Sequence, residues 1–342
     1  MSDQSFTLPS LPARDPRSHK GTFGTVAVIG GCGRPPLIMI GAPAIAAHAA
    51  LRAGCGLVRL AMPGPILAHG LTIVPSATGR AIATGADGAI EAHEAAAAVD
   101  ELCGTCDALV VGPGLGMSDG ARALSLRAVW QQEKPVVIDA DAINCLAEVP
   151  ELHRDFKARA VLTPHPGEYR RLAKALGVSR DPVEPTERQG ACEDLARRVG
   201  AVVVLKGANT VVSDGLRSWV CSHANAALAT AGTGDTLSGL IGSLLAQCAP
   251  AAPEPDLHAL AMQRLAEKSP KLAAQVRQGG AADARRSEGG GLDLFTLACI
   301  AVEAHSRAAA AWRAERRADA GLLAMELADQ LPAVLAGMRA GV

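Results

Sequence analysis

An α/β fold with a mostly parallel central sheet and helices on both faces is predicted by two observations. Short β-branched runs alternate with Ala-rich helical runs along most of the 342 residues, the pattern of repeated strand–helix units. Several of the strand runs are apolar at nearly every position instead of every second one, which marks strands buried on both faces. The composition agrees with this: at 49% hydrophobic and 20% charged the chain is globular, and its length admits one large α/β domain or two ordinary ones.

The elements follow in order. Residues 1–17 form an N-terminal arm with three prolines and the charges Asp3, Arg14, Asp15 and Arg17. It lacks the apolar segment and small-residue cleavage site of a secretory signal, so it reads as a cytosolic leader and the protein as cytoplasmic. Thr25–Ile29, Leu57–Ala61, Ala108–Val111, Pro135–Ile138, Ala160–Leu162 and Ala201–Leu205 are compact apolar runs of strand length. Between them Pro43–Ala53, Ile90–Leu102, Gly120–Gln131, Glu168–Ala175 and Glu187–Val199 are helical. Asn209–Ser213 and Ser218–Cys221 flank Asp214-Gly215, which predicts a hairpin closed by a type I′ turn. From Ala249 the alternation fails. Three prolines (Pro250, Pro253, Pro255) lead into a segment that ends on Gly289-Gly290-Gly291, and its helical spacing over Leu257–Val276 is broken by Pro270. A surface insertion over about 249–291 is expected inside a single domain of residues 18–342. Two long helices, Leu292–Arg316 and Gly321–Arg339, then cover the sheet.

Charge and aromatic content exclude classes of partner. With 33 Lys+Arg against 34 Asp+Glu and only 3 Trp, 1 Tyr and 4 Phe, the chain has neither the basic excess nor the stacking groups of a nucleic-acid binder. The apolar run from Ala42 meets His48 and Arg52 well before the roughly 20 residues of a membrane span. Cys55, Cys145, Cys221 and Cys299 sit singly in apolar patterns, as free thiols of a reduced compartment do. Cys103-Gly-Thr-Cys106 has CxxC spacing, but no second pair stands at ligand spacing, so it reads as a helix end entering a strand.

Chemistry concentrates where strands end. Ala231-Gly-Thr-Gly-Asp235 opens a helix, and a Gly-rich helix start offers unpaired N–H groups and the positive end of the dipole to an oxyanion. Asp235 is a candidate base there, or a simple cap. Lys206-Gly-Ala-Asn-Thr210 places a cation, a glycine and a hydroxyl after an apolar strand, suited to phosphate; a surface lysine is the plain alternative. Gly112-Pro-Gly-Leu-Gly116, Asp139-Ala-Asp141 and Thr163-Pro-His-Pro-Gly-Glu168 also end strands, where parallel sheets bind ligands. His165 is either a ligand contact or a locally bonded turn residue. Gly30-Gly31 invites a dinucleotide-binding reading, but Cys32-Gly-Arg-Pro-Pro follows, with no GxGxxG and no immediate helix, which argues against a dehydrogenase. No Walker A or serine-elbow element is present.

These blocks, with Gly41-Ala-Pro43 and Ala49–Val58, resemble the ADP/ATP-dependent NAD(P)H-hydrate dehydratase family over about residues 18–248 and 292–338. The resemblance implies a ribokinase-like three-layer fold that dehydrates the S epimer of NADHX or NADPHX, using ADP or ATP as co-substrate with Mg²⁺. By matching position, Lys206, Gly207, Ala208, Asn209, Thr210 and Gly234 hold the adenine nucleotide, while Ala42, Gly116, His165 and Asp235 contact the hydrated dinucleotide and Asp235 is catalytic. Glu168 or Asp139 is an outer-shell partner of the metal. The resemblance also implies a homo-oligomer, since the family tends to form tetramers, working with a separate NAD(P)H-hydrate epimerase. Three departures stand out: Cys32 and Pro35-Pro36 in the first glycine loop, where the family's contacts do not carry over; His305-Ser-Arg-Ala-Ala where the family has His-Gly-x-Ala-Gly; and the insertion after Gln247. Neither of the last two is expected to touch the ligand blocks. The alternatives are a ribokinase-fold kinase of a small alcohol such as a vitamin precursor, against which His165 in its block speaks, and a silent nucleotide-binding subunit, against which Lys206 and Asp235 speak.

Overall fold

The computed structural model describes residues 7–250 and 291–341. Its strands are β1 Thr25–Ile29, β2 Leu57–Pro63, β3 Thr78–Ile82, β4 Ala108–Val111, β5 Val136–Ile138, β6 Ala160–Leu162, β7 Val202–Leu205, β8 Val211–Ser213 and β9 Ser218–Val220. They join in one sheet of order β3-β2-β1-β4-β5-β6-β7-β8-β9. Pairing is parallel from β3 through β7 and antiparallel at β7–β8 and β8–β9. The chain leaves β1 toward β2 and β3, then returns to β4 on its other side. The crevice outside the β1 and β4 carboxyl ends is therefore a topological switch point, where open parallel sheets bind ligands.

The apolar strand runs do what their pattern predicts. Val26 and Val28 join one core, while Ala27 and Ile29 join the other. The first core is closed by α1 Gly41–Arg52, α9 Thr233–Cys248, α10 Leu294–Arg316 and α11 Ala324–Ala340. The second is closed by α3 Ala92–Cys103, α4 Asp119–Trp130, α5 Asp141–Leu146, α7 Pro166–Leu176 and α8 Arg188–Val199. A short α6, Leu152–Asp155, precedes β6. Cys103 and Cys106 are free, buried thiols at the α3 end. The start of α9 lies at the carboxyl edge of the sheet, and the helix approaches α1 so closely that a Cβ on Gly239 would stand 2.0 Å from the Ala46 carbonyl oxygen.

Three expectations are corrected. Residues 64–82, assigned no element, hold α2 Gly64–Ile73 and the edge strand β3. Asp141–Leu146, expected only as part of a strand-end cluster, is helical. The hairpin of β8 and β9 forms, but not on a type I′ turn: of the two residues between Asp214 and Arg217 only Gly215 has positive φ, and the Asp214 carboxylate accepts from the backbone N–H of Leu216 and Arg217. The insertion expected over about 249–291 lies, for residues 251–290, outside the described residues. At its edges the Leu292 N–H donates to the Cys248 carbonyl at 3.0 Å. No helix among the described residues is long and apolar enough to cross a membrane.

Candidate active site

The carboxyl ends of β5, β6 and β7 bring together a charged cluster. Asp139, directly after β5, is 1% exposed and accepts from Thr163 Oγ1 at 2.7 Å and from Lys206 Nζ at 2.8 Å, both on Oδ1. Lys206, directly after β7, also stands 3.9 Å from Glu168 Oε2. Burial alone would lower the Lys206 pKa, but Asp139 and Glu168, with Asp235 beyond them, hold it above its ordinary value. Glu168 is buried, and burial pushes its carboxyl up against the opposing pull of Lys206.

His165 is the N-cap of α7. Its Nδ1 accepts from the Gly167 and Glu168 N–H groups at 2.9 and 3.3 Å, and Glu168 Oε2 accepts from the His165 N–H at 2.8 Å. With Nδ1 committed as acceptor, the neutral ring carries its proton on Nε2, 3.3 Å from Glu168 Oε1. Burial and the nearby Lys206 keep the ring neutral by lowering its pKa.

The α9 start is built for an anion. Gly232, its N-cap, has φ 89° and supplies no side-chain cap; the Thr233 N–H donates to the Thr230 carbonyl at 3.5 Å, which leaves the Gly234 and Asp235 N–H groups for a ligand. Thr233 Oγ1 ties the turn down by donating to the Leu228 and Thr230 carbonyls, each at 2.9 Å. Asp235 follows in the first turn. Burial, reinforced by Asp139, raises its pKa to about 7 despite Lys206.

A cavity of about 460 Å³ opens beside this turn, and Lys206, Gly207, Ala208, Asn209, Thr210 and Gly234 all line it. The six residues predicted for the nucleotide thus share one space. Their loop is held from behind by Arg188 of α8, which sequence reasoning missed because it reads as an ordinary helix-surface charge. The Arg188 guanidinium donates to the carbonyls of Leu205 (2.8 Å), Lys206 (2.9 Å), Asn209 (3.3 Å) and Pro182. Gly207 has φ 147°, and a Cβ there would stand 2.8 Å from Arg188 Nη2, so the loop requires glycine at this contact.

A second cavity of about 410 Å³ lies at the switch point, lined among others by Gly31, Cys32, Arg34 and Gly116. The Gly116 N–H donates to Asp141 Oδ2 at 2.8 Å, and Asp141 is one of the carboxylates that raise the Asp235 pKa. Ala42, in the first turn of α1, sits against the glycine loop, its Cβ 3.3 Å from where a Gly114 Cβ would be. Ala42, His165 and Asp235 are not among the residues that line either cavity.

Both the Cys32 loop and His305 lie at these cavities, the histidine against expectation. Cys32 lines the second. His305 lines the first and faces the Thr233 carbonyl with Nε2 at 2.9 Å. Burial lowers its pKa to about 4, so the neutral ring donates to that carbonyl and braces the α9 start. The signal that could have found it is a histidine inside an otherwise apolar helix face.

The comparisons with known proteins agree in kind. The family model described as NAD(P)H-hydrate dehydratase matches residues 26–333. The bifunctional NAD(P)H-hydrate repair enzyme Nnr of Salinibacter ruber is 43% identical over 241 residues, 69% of this chain and 42% of that one. The ADP-dependent (S)-NAD(P)H-hydrate dehydratase of Neisseria meningitidis is 40% identical over 248 residues, 70% of this chain and 74% of that one. This chain spans about half the length of the bifunctional relatives, 42% and 50% of the Salinibacter ruber and Coxiella burnetii proteins. In fold it is similar to the ADP/ATP-dependent NAD(P)H-hydrate dehydratase of Bacillus subtilis co-crystallized with ATP/Mg²⁺, at TM-score 0.66 and 24% identity over 98% of this chain and 100% of that one. It is similar in the same way to a ribokinase-like superfamily protein of Enterococcus faecalis, at TM-score 0.66 and 21% identity over 96% and 92%.

Proposed function

The chain belongs to the NAD(P)H-hydrate dehydratase family, and on that premise we propose that it dehydrates the S epimer of NADHX or NADPHX to NADH or NADPH, converting ADP to AMP and phosphate. The observation that carries this reading is the position of Asp235, in the first turn of the Gly-rich helix next to Gly234, which lines the cavity of the predicted nucleotide residues.

In this reading ADP occupies the first cavity, with Lys206 and the 207–210 loop on its phosphates and the α9 N–H groups facing the phosphoryl group in transfer. Ala42, Gly116 and His165 contact the hydrated dinucleotide. Asp235 takes the proton from the C6 hydroxyl of the tetrahydronicotinamide ring as that oxygen attacks the terminal phosphorus of ADP. AMP leaves. The ring nitrogen then expels phosphate from C6, and loss of a proton from the neighbouring ring carbon restores the dihydronicotinamide. Water is thereby removed as phosphate plus two protons, with no redox change.

The carboxylates near the phosphate end suit Mg²⁺, a hard cation that binds oxygen and keeps several waters. Asp139 and Glu168 already accept hydrogen bonds from protein groups, which fits them to the ion's water shell. When bound, the ion would neutralise phosphate charge. ADP or ATP serves as the nucleotide, the assembly is a homo-oligomer in the cytoplasm, and a separate NAD(P)H-hydrate epimerase converts the R epimer to the S epimer that this enzyme takes. The test is incubation with chemically prepared NADHX and each nucleotide, following the near-ultraviolet absorbance of the reduced nicotinamide. ADP-dependent recovery is expected. No recovery with either nucleotide would remove the reading, and phosphorylation of a small alcohol in its place would favour a vitamin-precursor kinase.

A further inference from the structure

The first cavity carries chemistry that the dehydration does not use. Cys221, just after β9, donates its backbone N–H to the Thr210 carbonyl at 2.9 Å, and His223 follows two residues on. Glu303 of α10 points at both, with Oε2 3.9 Å from Cys221 Sγ and 3.5 Å from His223 Nδ1. One donor atom from each of the three lies within 4.8 Å of the others, and no other such trio of His, Cys, Asp or Glu meets this closely among the described residues. A tetrahedral zinc ion has ligand bonds of roughly 2.0–2.3 Å, which puts the edges between donors at about 3.3–3.7 Å. The two separations from Glu303 Oε2, 3.9 Å to the sulfur and 3.5 Å to the nitrogen, lie within about half an ångström of those edges, and the sulfur and nitrogen stand within 4.8 Å of each other.

We propose that Cys221, His223 and Glu303 form a three-ligand site for a borderline divalent cation such as Zn²⁺ or Co²⁺, with the fourth position open to the cavity. Cys221 and His223 themselves line that cavity. The mixed sulfur, nitrogen and oxygen set discriminates against Mg²⁺ and Ca²⁺, which take oxygen alone, and favours a zinc-like ion. The surroundings already hold the ligands in place. Arg307 Nε donates to Glu303 Oε1 at 2.8 Å, which leaves Oε2 for the ion, and Ser306 Oγ donates to the His223 carbonyl at 2.9 Å. As the sulfur–metal bond forms, the S–H bond breaks and its proton passes to solvent. Thiolate and carboxylate then balance the two positive charges. On the reading of this cavity as the ADP site, which this last consequence alone depends on, the ion offers its open position to the nucleotide.

The experiment titrates Co²⁺ into the metal-stripped, reduced, full-length protein with no nucleotide present, so its outcome is independent of the dehydratase reading. Expected are one equivalent bound, a thiolate-to-cobalt charge-transfer band, tetrahedral visible bands, and loss of all of these on adding Zn²⁺. Cys221→Ser should abolish the charge-transfer band, and His223→Ala and Glu303→Gln should each weaken binding by more than about tenfold, the loss typical of even an outer-shell partner. His223 is two-thirds exposed, so that variant should keep the fold, checked by circular dichroism. Cys32→Ser should leave the spectrum unchanged. Absence of the band in the wild type, its survival in Cys221→Ser, or unaltered affinity in a folded His223→Ala would overturn the site.

Discussion

In its proposed role as base, Asp235 has a pH signature. Its pKa of about 7, set first by burial and then by Asp139, means that turnover should rise with pH through neutrality as the base form accumulates. Asp235→Asn should cut turnover by roughly 10²–10⁴ while ADP affinity holds, because Asn keeps the shape and caps equally well. The native pKa lies above the unfolded value near 4, so the folded state binds more protons between those limits. This group's stability is fully present below about pH 4 and is lost as pH rises through about 7. The melting temperature of Asp235→Asn should therefore exceed the wild type by more at about pH 8 than at about pH 5; an equal gain at both would refute the raised pKa. Lys206→Ala should weaken ADP by roughly 1.5–3 kcal/mol, the value of a lost charge-assisted hydrogen bond, and the hydrated cofactor by less. Calorimetry on both ligands decides, since equal losses would make the lysine a support of the Asp139 and Glu168 carboxylates instead. Lys206 and Asp235 were legible because strand ends and Gly-rich turns announce themselves locally. Arg188 and His305 were not, because each acts through backbone carbonyls that only the fold brings near, and Glu303 meets Cys221 across most of the distance between β9 and α10.

Element by element, the buried strands were the readable ones, since burial on both faces writes an apolar residue at each position. β3, Thr-Gly-Arg-Ala-Ile, buries Ile82 alone and lies at the sheet edge, so it carries neither an apolar run nor an alternation. α2 escaped notice because Gly64 and Pro65 begin it and only Ile66 and Gly70 are buried, too few to set a helical stripe. The α1–α9 contact depends on a residue with no side chain. Gly239→Ala should cost about 1–3 kcal/mol in urea unfolding, because the added methyl meets the Ala46 backbone, which cannot rotate away as a side chain could. A variant as stable as the wild type would mean that α1 shifts without penalty.

For the molecule as a whole, the hydrogen bond between Leu292 and Cys248 brings the two edges of the 249–291 segment to one place. A short Gly/Ser linker in place of residues 252–290 should leave folding and turnover intact. A folded but inactive product would assign that segment a part in catalysis. The same join has a temporal side. The wall of the first cavity formed by Val302, His305 and Ser306 belongs to α10, far downstream of the Gly-Thr-Gly-Asp turn that it faces. On the ribosome the Gly-Thr-Gly-Asp turn therefore emerges well before the histidine that braces it, and if the proposed nucleotide site is right, a nascent chain halted after Cys248 should not retain ADP in a pull-down, whereas one extended past Arg316 and clear of the exit tunnel should.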